Sequence, residues 1–229
     1  MLLNKYKKGK RMKKVLSSAL VALALTTSSA MAQDFAIGVT AGTLGLGLEG
    51  TTNISEKVNV RLIAAGYKYS KDGTSGGDLS YQADAKLFNV GALVDYYPFT
   101  NFLRLSAGAI YNGTKVTAAA QPNIGSTYTI NGTTYTAADV GSATGEVKYQ
   151  KVMPYLGFGF GNTMANGNFT IGMDFGAMIG KPTASLTITN PTNNATLAND
   201  AAIEEAKFKD EANKYNFYPV VNMSISYRF

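Results

Sequence analysis

The residues of this chain that could do chemistry are carboxylates and cationic side chains, because its 229 residues include no cysteine and no histidine. Without cysteine there is no thiolate nucleophile, no zinc–thiolate site and no disulfide. Without histidine, the commonest general base and the commonest metal ligand are both missing. We therefore expect no enzyme activity, no metal site and no bound cofactor.

Charged residues recur on the polar side of segments whose apolar and polar residues alternate: Glu49, Arg61, Asp95, Arg104, Lys151, Asp174 and Arg228. If these side chains face a narrow interior, they should pair, because an unpaired buried charge is costly. The first pair that we expect is Arg104 with Asp95 or Asp174. Paired charges would close the interior, whereas a lining of unpaired charges would select small solutes.

Two glycine patterns resemble nucleotide-binding loops only superficially. Gly42-x-x-Gly45-x-Gly47 and Gly157-x-Gly159-x-Gly161 alternate with Leu or Phe, and neither leads from a glycine turn into a helix, which phosphate binding requires. We interpret these glycines as small residues that leave room on one face of a strand.

The amino-terminal segment is predicted to be a secretory signal peptide. Seven basic residues stand in the first fourteen positions, an apolar stretch follows over residues 15–25, and Ala30-Met31-Ala32 completes the pattern. The apolar stretch is too short for a transmembrane helix, which needs about 20 residues. We expect residues 1–32 to be removed by cleavage before Gln33. Met12 is an alternative start.

The net charge of the chain resides in this export segment. The sequence has 21 Lys and Arg against 15 Asp and Glu, a net charge of +6. Removing residues 1–32 takes away seven basic residues and no acidic ones, which leaves a net charge of −1. A nucleic-acid partner, which a basic protein would suggest, is therefore not expected.

The remaining chain, residues 33–229, alternates with period two in many segments, as strands with one apolar and one polar face do. The last segment is the clearest. Its apolar and aromatic face comprises Val221, Met223, Ile225, Tyr227 and Phe229, and its other face Asn222, Ser224, Ser226 and Arg228. Because the segments are long and their polar faces carry glycine and charge, a membrane barrel is favoured over a secreted sandwich.

Connection lengths predict the number of strands. Short connections alternate with long ones at residues 71–79, 118–145 and 181–214, as periplasmic turns and outer loops do in bacterial barrels. Residues 35–41 and 44–52 are either two strands with a reversal at Gly42-Thr43 or one long bulged strand. We predict an all-β fold: an eight-stranded antiparallel transmembrane β-barrel with long outer loops.

Two of the long loops have predicted structure of their own. Asn131-Gly132 between two threonine-rich segments is the strongest short signal for a β-hairpin. Residues 200–213 have helical composition, and Asn199 or Asp200 could cap the helix.

The carboxyl-terminal segment, residues 218–229, resembles the assembly signal of outer-membrane proteins, with Ile225, Tyr227 and Phe229 at the matching positions. Further segments resemble those of small proteobacterial outer-membrane barrels, which are grouped loosely with OmpA-, OmpX- and OmpW-like proteins. These segments are residues 42–49, 135–141 and 154–159. The resemblance covers nearly all of residues 33–229 and is specific for fold and location more than for activity.

The resemblance implies a protein of the Gram-negative outer membrane. The charges on the polar faces favour an interior filled by paired charges, and with it a structural or surface-display function. A narrow porin-like channel for small solutes is the alternative. The implied partners are outer-membrane lipid, lipopolysaccharide and the barrel-assembly machinery, and the protein is expected to be a monomer.

Overall fold

The computed structural model describes residues 35–75, 79–99, 102–123, 125–164 and 167–229. The predicted signal peptide, its cleavage residues Ala30, Ala32 and Gln33, and Met12 lie outside these ranges. The described chain forms thirteen strands and one helix. In order, these are β1 (Phe35–Gly42), β2 (Gly45–Ser55), β3 (Val58–Ser75), β4 (Leu79–Tyr96), β5 (Leu103–Asn112), β6 (Lys115–Pro122), β7 (Thr127–Ile130), β8 (Thr133–Thr136), β9 (Ala143–Tyr149), β10 (Val152–Phe160), β11 (Phe169–Ile179), β12 (Pro182–Ile188), α1 (Ala195–Asn213) and β13 (Phe217–Arg228).

Eight of the strands form a ring in which each pairs antiparallel with two neighbours. The order around the ring is β1, β2, β3, β4, β5, β10, β11 and β13. β13 pairs with β1 again, with Tyr227 opposite Ile37. This ring has eight strands, and the other five described strands lie outside it.

The first two strands are a hairpin and not one bulged strand. β1 and β2 pair from Phe35 opposite Thr52 to Gly42 opposite Gly45, so residues 43 and 44 make the turn, one residue later than expected. Gly45 has φ +110°, where a side chain would be strained. A Cβ at this position would also lie 2.7 Å from the backbone of Gly66 on β3.

The alternation in sequence sets which side chains face into the ring. On β13, Asn222, Ser224 and Ser226 are buried, whereas Met223 and Ile225 are more than half exposed. Because successive side chains point to opposite faces of a strand, the buried residues face the interior and the exposed apolar residues face outward. The ring is thus apolar outside, and this end of β13 is polar inside, the reverse of a water-soluble sheet.

On one side, the sheet continues beyond the ring as an outer wall, which we define as residues 67–75 of β3, residues 79–86 of β4, and strands β6, β9 and β12. β5 and β6 pair with β4 in one register, Asn112 opposite Asn89 and then Lys115 opposite Lys86. They are therefore two parts of one long strand, interrupted only at residues 113–114.

The segments that the sequence suggested as long loops are consequently rich in strand. Residues 71–79 include the ends of β3 and β4, residues 118–145 include most of β6 and all of β7 and β8, and residues 181–214 include β12 and α1. The loop prediction was wrong because the wall strands are built from small and polar residues such as Thr, Ala, Ser and Lys. Such strands lack the apolar face on which a period-two signal depends.

The β7–β8 hairpin forms where Asn131-Gly132 predicts it. Both turn residues have positive φ, 49° at Asn131 and 85° at Gly132, as a type I′ turn requires.

The helix α1 begins five residues before the predicted position. Its N-cap is Asn194, whose side-chain oxygen accepts from the backbone N–H of Thr196 and Leu197. Neither Asn199 nor Asp200 caps the helix, because both lie inside its second turn. Within the described ranges, no helix is long and apolar enough to cross a membrane.

Candidate functional site: a charged interior layer and an outer loop cluster

Five charged side chains from five strands meet inside the ring and form what we call the charged layer: Glu49, Arg61, Asp95, Arg104 and Asp174. Each lies on the inward face of its strand, close to the end of the ring that holds the short turns. Only 1–4 % of the surface of each residue is accessible to water. These charges are therefore stabilised by one another rather than by solvent.

Arg61 of β3 is the centre of the charged layer. Its guanidinium binds Asp95 through Nε at 2.8 Å and Nη2 at 3.1 Å, and Asp174 through Nη1 at 2.7 Å and Nη2 at 3.0 Å. Its Nη1 also lies 3.4 Å from Glu49 Oε2. Two-point pairing with carboxylates is the strongest arrangement a guanidinium can make. Arg61 thus contacts all three carboxylates of the charged layer.

Arg104 of β5 joins the layer through Asp174 of β11, one of its two expected partners, at 2.8 Å between Nη2 and Oδ1. Its Nη1 donates to the backbone carbonyls of Phe160 and Gly161 at the end of β10. Gly159 makes room for this side chain, since a Cβ there would lie 2.9 Å from Arg104 Nε and from Asp174 Oδ1. The glycine pattern on β10 thus serves packing.

Hydroxyl groups complete the coordination of the carboxylates. Ser106 Oγ donates to Asp95 Oδ1 at 2.5 Å, and Ser226 Oγ donates to Glu49 Oε1 at 2.9 Å. Each carboxylate of the charged layer therefore accepts at least two hydrogen bonds from cations or hydroxyls. The layer holds three carboxylates and two guanidinium groups, so removal of either cation would leave a buried carboxylate without its partner, which is strongly destabilising.

An apolar layer fills the ring between the charged layer and the outer wall. It comprises Leu44, Ile63, Ala65, Leu93, Ile110, Met153, Tyr155, Met178 and Val220, with Tyr149 and Tyr218 packed against it. The ring of Tyr155 lies over two glycines of paired strands, because a Cβ at Gly157 or Gly176 would come within 2.6 Å of its hydroxyl. Sequence reasoning missed this layer, although adjacent apolar pairs such as Leu62-Ile63 and Leu93-Val94 signal strands that are apolar on both faces.

Two of the charges expected inside lie elsewhere. Lys151 is exposed, and its Nζ lies 5.7 Å from the ring centre of Tyr111. β9 and β10 keep one register along β6 and β5, with Lys148 opposite Lys115 and Val152 opposite Tyr111, and Lys151 lies in the interruption between them at residues 150–151. Arg228 is half-buried at the rim, where Nη1 donates to the carbonyl of Met164 at 2.9 Å. Neither reaches the charged layer.

Of the residues of the predicted assembly signal, Ile225 and Tyr227 lie on β13 and Phe229 directly follows its end. Ile225 and Phe229 are 55 % and 74 % exposed, and Tyr227 packs edge-on against Phe169 and Phe229. This placement leaves the side chains accessible from outside the ring. Their role as an assembly signal stays a prediction.

The outer loops form a second structured region, which we call the outer loop cluster: the β7–β8 hairpin, residues 137–142 and α1. A small apolar core joins its parts, with Tyr135, Val140 and Leu197 buried and Ile130 and Ile188 packed against them. The loops are therefore held together as a folded unit.

Asp200 of α1 ties the helix to the hairpin. Its carboxylate accepts from Tyr135 Oη at 2.6 Å and from Asn131 Nδ2 at 3.0 Å. Asn131 N donates to Glu204 Oε1 at 3.1 Å, and Lys207 Nζ donates to Asn131 Oδ1 at 2.8 Å. The hydrogen bonds from Tyr135 and Asn131 hold the pKa of Asp200 below its ordinary value.

Comparison with known proteins identifies the fold. No family model matches the chain, and no curated protein sequence matches it. Two crystal structures are similar, CarO and CarO2 of Acinetobacter baumannii, each at 19 % identity and a TM-score of 0.59. The matches cover 85 % and 86 % of this chain and 97 % and 98 % of those proteins. A major outer-membrane protein of Thermus thermophilus matches at 13 % identity and a TM-score of 0.46, over 87 % of this chain and all of that one.

The fold is therefore that of small outer-membrane β-barrel proteins, the class to which CarO belongs. At 19 % identity the likeness concerns the fold alone. Membership of the OmpA-, OmpX- and OmpW-like branch stays a prediction.

Replacing Arg61 by methionine should destabilise the protein by about 3–5 kcal/mol, because it leaves buried carboxylates without their cation. Reversible urea unfolding of the protein refolded into lipid vesicles measures this. Arg228→Met is the matched control, since it removes the same charge and a similar volume at the half-buried rim. Equal losses for the two variants would show that the charged layer is not a stabilising centre.

Replacing Asp200 by asparagine should speed amide hydrogen exchange in the first turns of α1 at pH 7. A carboxylate whose folded-state pKa is lowered stabilises the folded state above its unfolded-state pKa, and this stabilisation is lost as the pH falls through the folded-state value. The difference between Asp200→Asn and wild type should therefore vanish in acid. Asp210→Asn, on an exposed position of the same helix, should match wild type throughout. A difference that persists unchanged to low pH would contradict this role of Asp200.

Proposed function

We propose that this protein is an outer-membrane β-barrel whose ring spans the bilayer, whose interior is closed, and whose function is to display the outer wall and outer loop cluster at the cell surface. The observation that carries the proposal is the inversion of the ring, with apolar residues outside and a layer of paired charges inside. Outer-membrane lipid and lipopolysaccharide surround the ring in this proposal. The barrel-assembly machinery inserts it as a monomer.

The outward face of the ring supports the membrane placement. Leu46, Leu62 and Ile171 are 54–68 % exposed, although Arg61 inside is only 2 % exposed. In water, this distribution would leave a large apolar surface hydrated, whereas lipid removes that cost. The ring strands β2, β5, β10, β11 and β13 have 9 to 12 residues, and a tilted spanning strand needs about 9–11.

Aromatic residues near both ends of the ring further support this placement. Phe169, Tyr227 and Phe229 pack together near the chain ends, and Phe88 contacts Tyr111 edge-on near the outer wall. Aromatic side chains are enriched at the two interfaces of a membrane-spanning protein with the bilayer headgroups. The strands between these two aromatic groups are long enough to cross the apolar part of a bilayer.

The closed interior is the reason to favour display over transport. A conducting pore needs water along its whole length, whereas both interior layers are packed and almost inaccessible to water. A narrow channel would require the charged layer and the apolar layer to move together. Catalysis is not part of the proposal, because the chain has no histidine or cysteine and the interior carboxylates are paired.

Surface display can be tested by cysteine labelling, because the chain has no cysteine of its own. Ala202→Cys places one thiol on an exposed position of α1, and Ser55→Cys places one at the exposed end of β2, beside the turn at residues 56–57 at the other end of the ring. Intact cells treated with a maleimide polymer too large to pass porins should label Ala202→Cys only. Ser55→Cys should react after the outer membrane is permeabilised. Labelling of Ser55→Cys alone in intact cells would overturn the proposed orientation.

A further inference from the structure

Strand register aligns four lysines on four neighbouring strands of the outer wall. Lys68 of β3 stands opposite Lys86 of β4, Lys86 opposite Lys115 of β6, and Lys115 opposite Lys148 of β9. We call these residues the lysine row. Neighbouring strands lie about 4.8 Å apart, so the row extends over about 14 Å.

The lysine row faces outward and stands just beyond the apolar band of the ring. Lys86 is two residues from Phe88 on β4, and both are exposed on the same face, since side chains two apart on a strand point the same way. Phe88 contacts Tyr111 at 6.2 Å between ring centres. The side chains of Lys115 and Lys148 are 46 % and 48 % exposed. The row therefore lies at the height at which a lipid-facing surface gives way to a polar one.

Within the protein, the charge of the lysine row is only partly neutralised. Glu146 forms ion pairs with both Lys115 and Lys148. Among the described residues, no carboxylate forms an ion pair with Lys68 or Lys86. Like charges directly opposite each other destabilise a sheet. Four lysines that share one carboxylate thus leave a site where an external anion would be stabilising.

We propose that the lysine row binds the phosphate groups of a lipid headgroup in the outer leaflet. Lysine binds phosphate as a point charge and needs no fixed geometry. The Phe88–Tyr111 pair beneath the row offers an apolar surface for the acyl chains of the same molecule, and Lys151, over the ring of Tyr111, adds a fifth cation. A lipid is favoured over a soluble anion because its chains hold the headgroup at the height of the row. The inference rests on the membrane placement proposed above.

The test compares two variants that have lost the same charge. The row variant carries Lys68→Gln, Lys86→Gln, Lys115→Gln and Lys148→Gln. The control variant carries Lys57→Gln, Lys71→Gln, Lys209→Gln and Lys214→Gln, at exposed positions outside the row. Each full mature protein is refolded into phosphatidylcholine nanodiscs, and binding of bisphosphorylated lipid A is measured by native mass spectrometry.

We expect the row variant to bind lipid A at least about tenfold more weakly, since each lysine at an anionic lipid surface contributes about a fivefold change in affinity. The control variant should bind as wild type does. Equal weakening of both variants, or none in the row variant, would overturn the proposal. Displacement of lipid A by millimolar inorganic phosphate would also overturn it, because the site would then hold a free anion.

Two further measurements keep the outcomes distinct. If the fourfold variant does not refold, the Lys68→Gln, Lys86→Gln variant decides, because these two lysines have no ion pair within the described residues. Cell-surface labelling of Ala202→Cys reports the membrane placement separately. Labelling without row-dependent lipid binding would refute the lipid site alone, and absence of surface labelling would refute the display function.

Discussion

The guanidinium of Arg61, shared among three carboxylates, is the interaction on which the rest of this structure depends. A ring of eight strands has an interior just wide enough for side chains to fill, so a charge placed there must find an opposite charge there. Arg61 meets this constraint for Asp95, Asp174 and Glu49 together. The neighbouring glycines and serines follow from it, because only small residues leave room for long charged side chains and donate to the remaining oxygens.

In the proposed function, the closed interior leaves the outside of the molecule as the functional surface. The outer wall extends one side of the ring, and the outer loop cluster is built on it. Asp200 holds the helix against the hairpin in the same way that Arg61 holds the interior, through a charged group surrounded by its hydrogen-bonding partners. A surface with its own apolar core and its own polar tie presents a defined shape to other molecules, which mobile loops would not.

The strands of the ring could be predicted from the sequence because lipid and a polar interior impose opposite demands on alternate residues. β13 shows this most clearly, and the hairpin at Asn131-Gly132 follows from turn chemistry alone. The outer wall could not be predicted in this way, because both of its faces carry small or polar residues. The apolar interior layer was missed because the strands were expected to be polar along their whole inward face. Ile63 and Leu93 lie on that face and are apolar.

Of the charged residues that were expected inside the ring, some could be placed from the sequence and others could not. Glu49, Arg61, Asp95, Arg104 and Asp174 lie inside as their position in alternating segments indicates. Lys151 does not, because an interruption between β9 and β10 turns it outward, and such an interruption leaves no mark in the sequence. The early cap of α1 at Asn194 was hidden for a related reason, since Asn194 is one of several polar residues in a row. The period-two pattern thus shows which face of a strand a residue lies on, but it does not show where a strand is interrupted.

Single-channel recording distinguishes a packed, charge-paired interior from a pore. Wild-type protein refolded into planar bilayers should give no steady conductance steps, with a known porin in the same bilayers as the positive control. Steady open steps in the wild-type protein would contradict a closed interior, and a shift of their ion selectivity in an Asp174→Asn variant would show that the ions pass the charged layer.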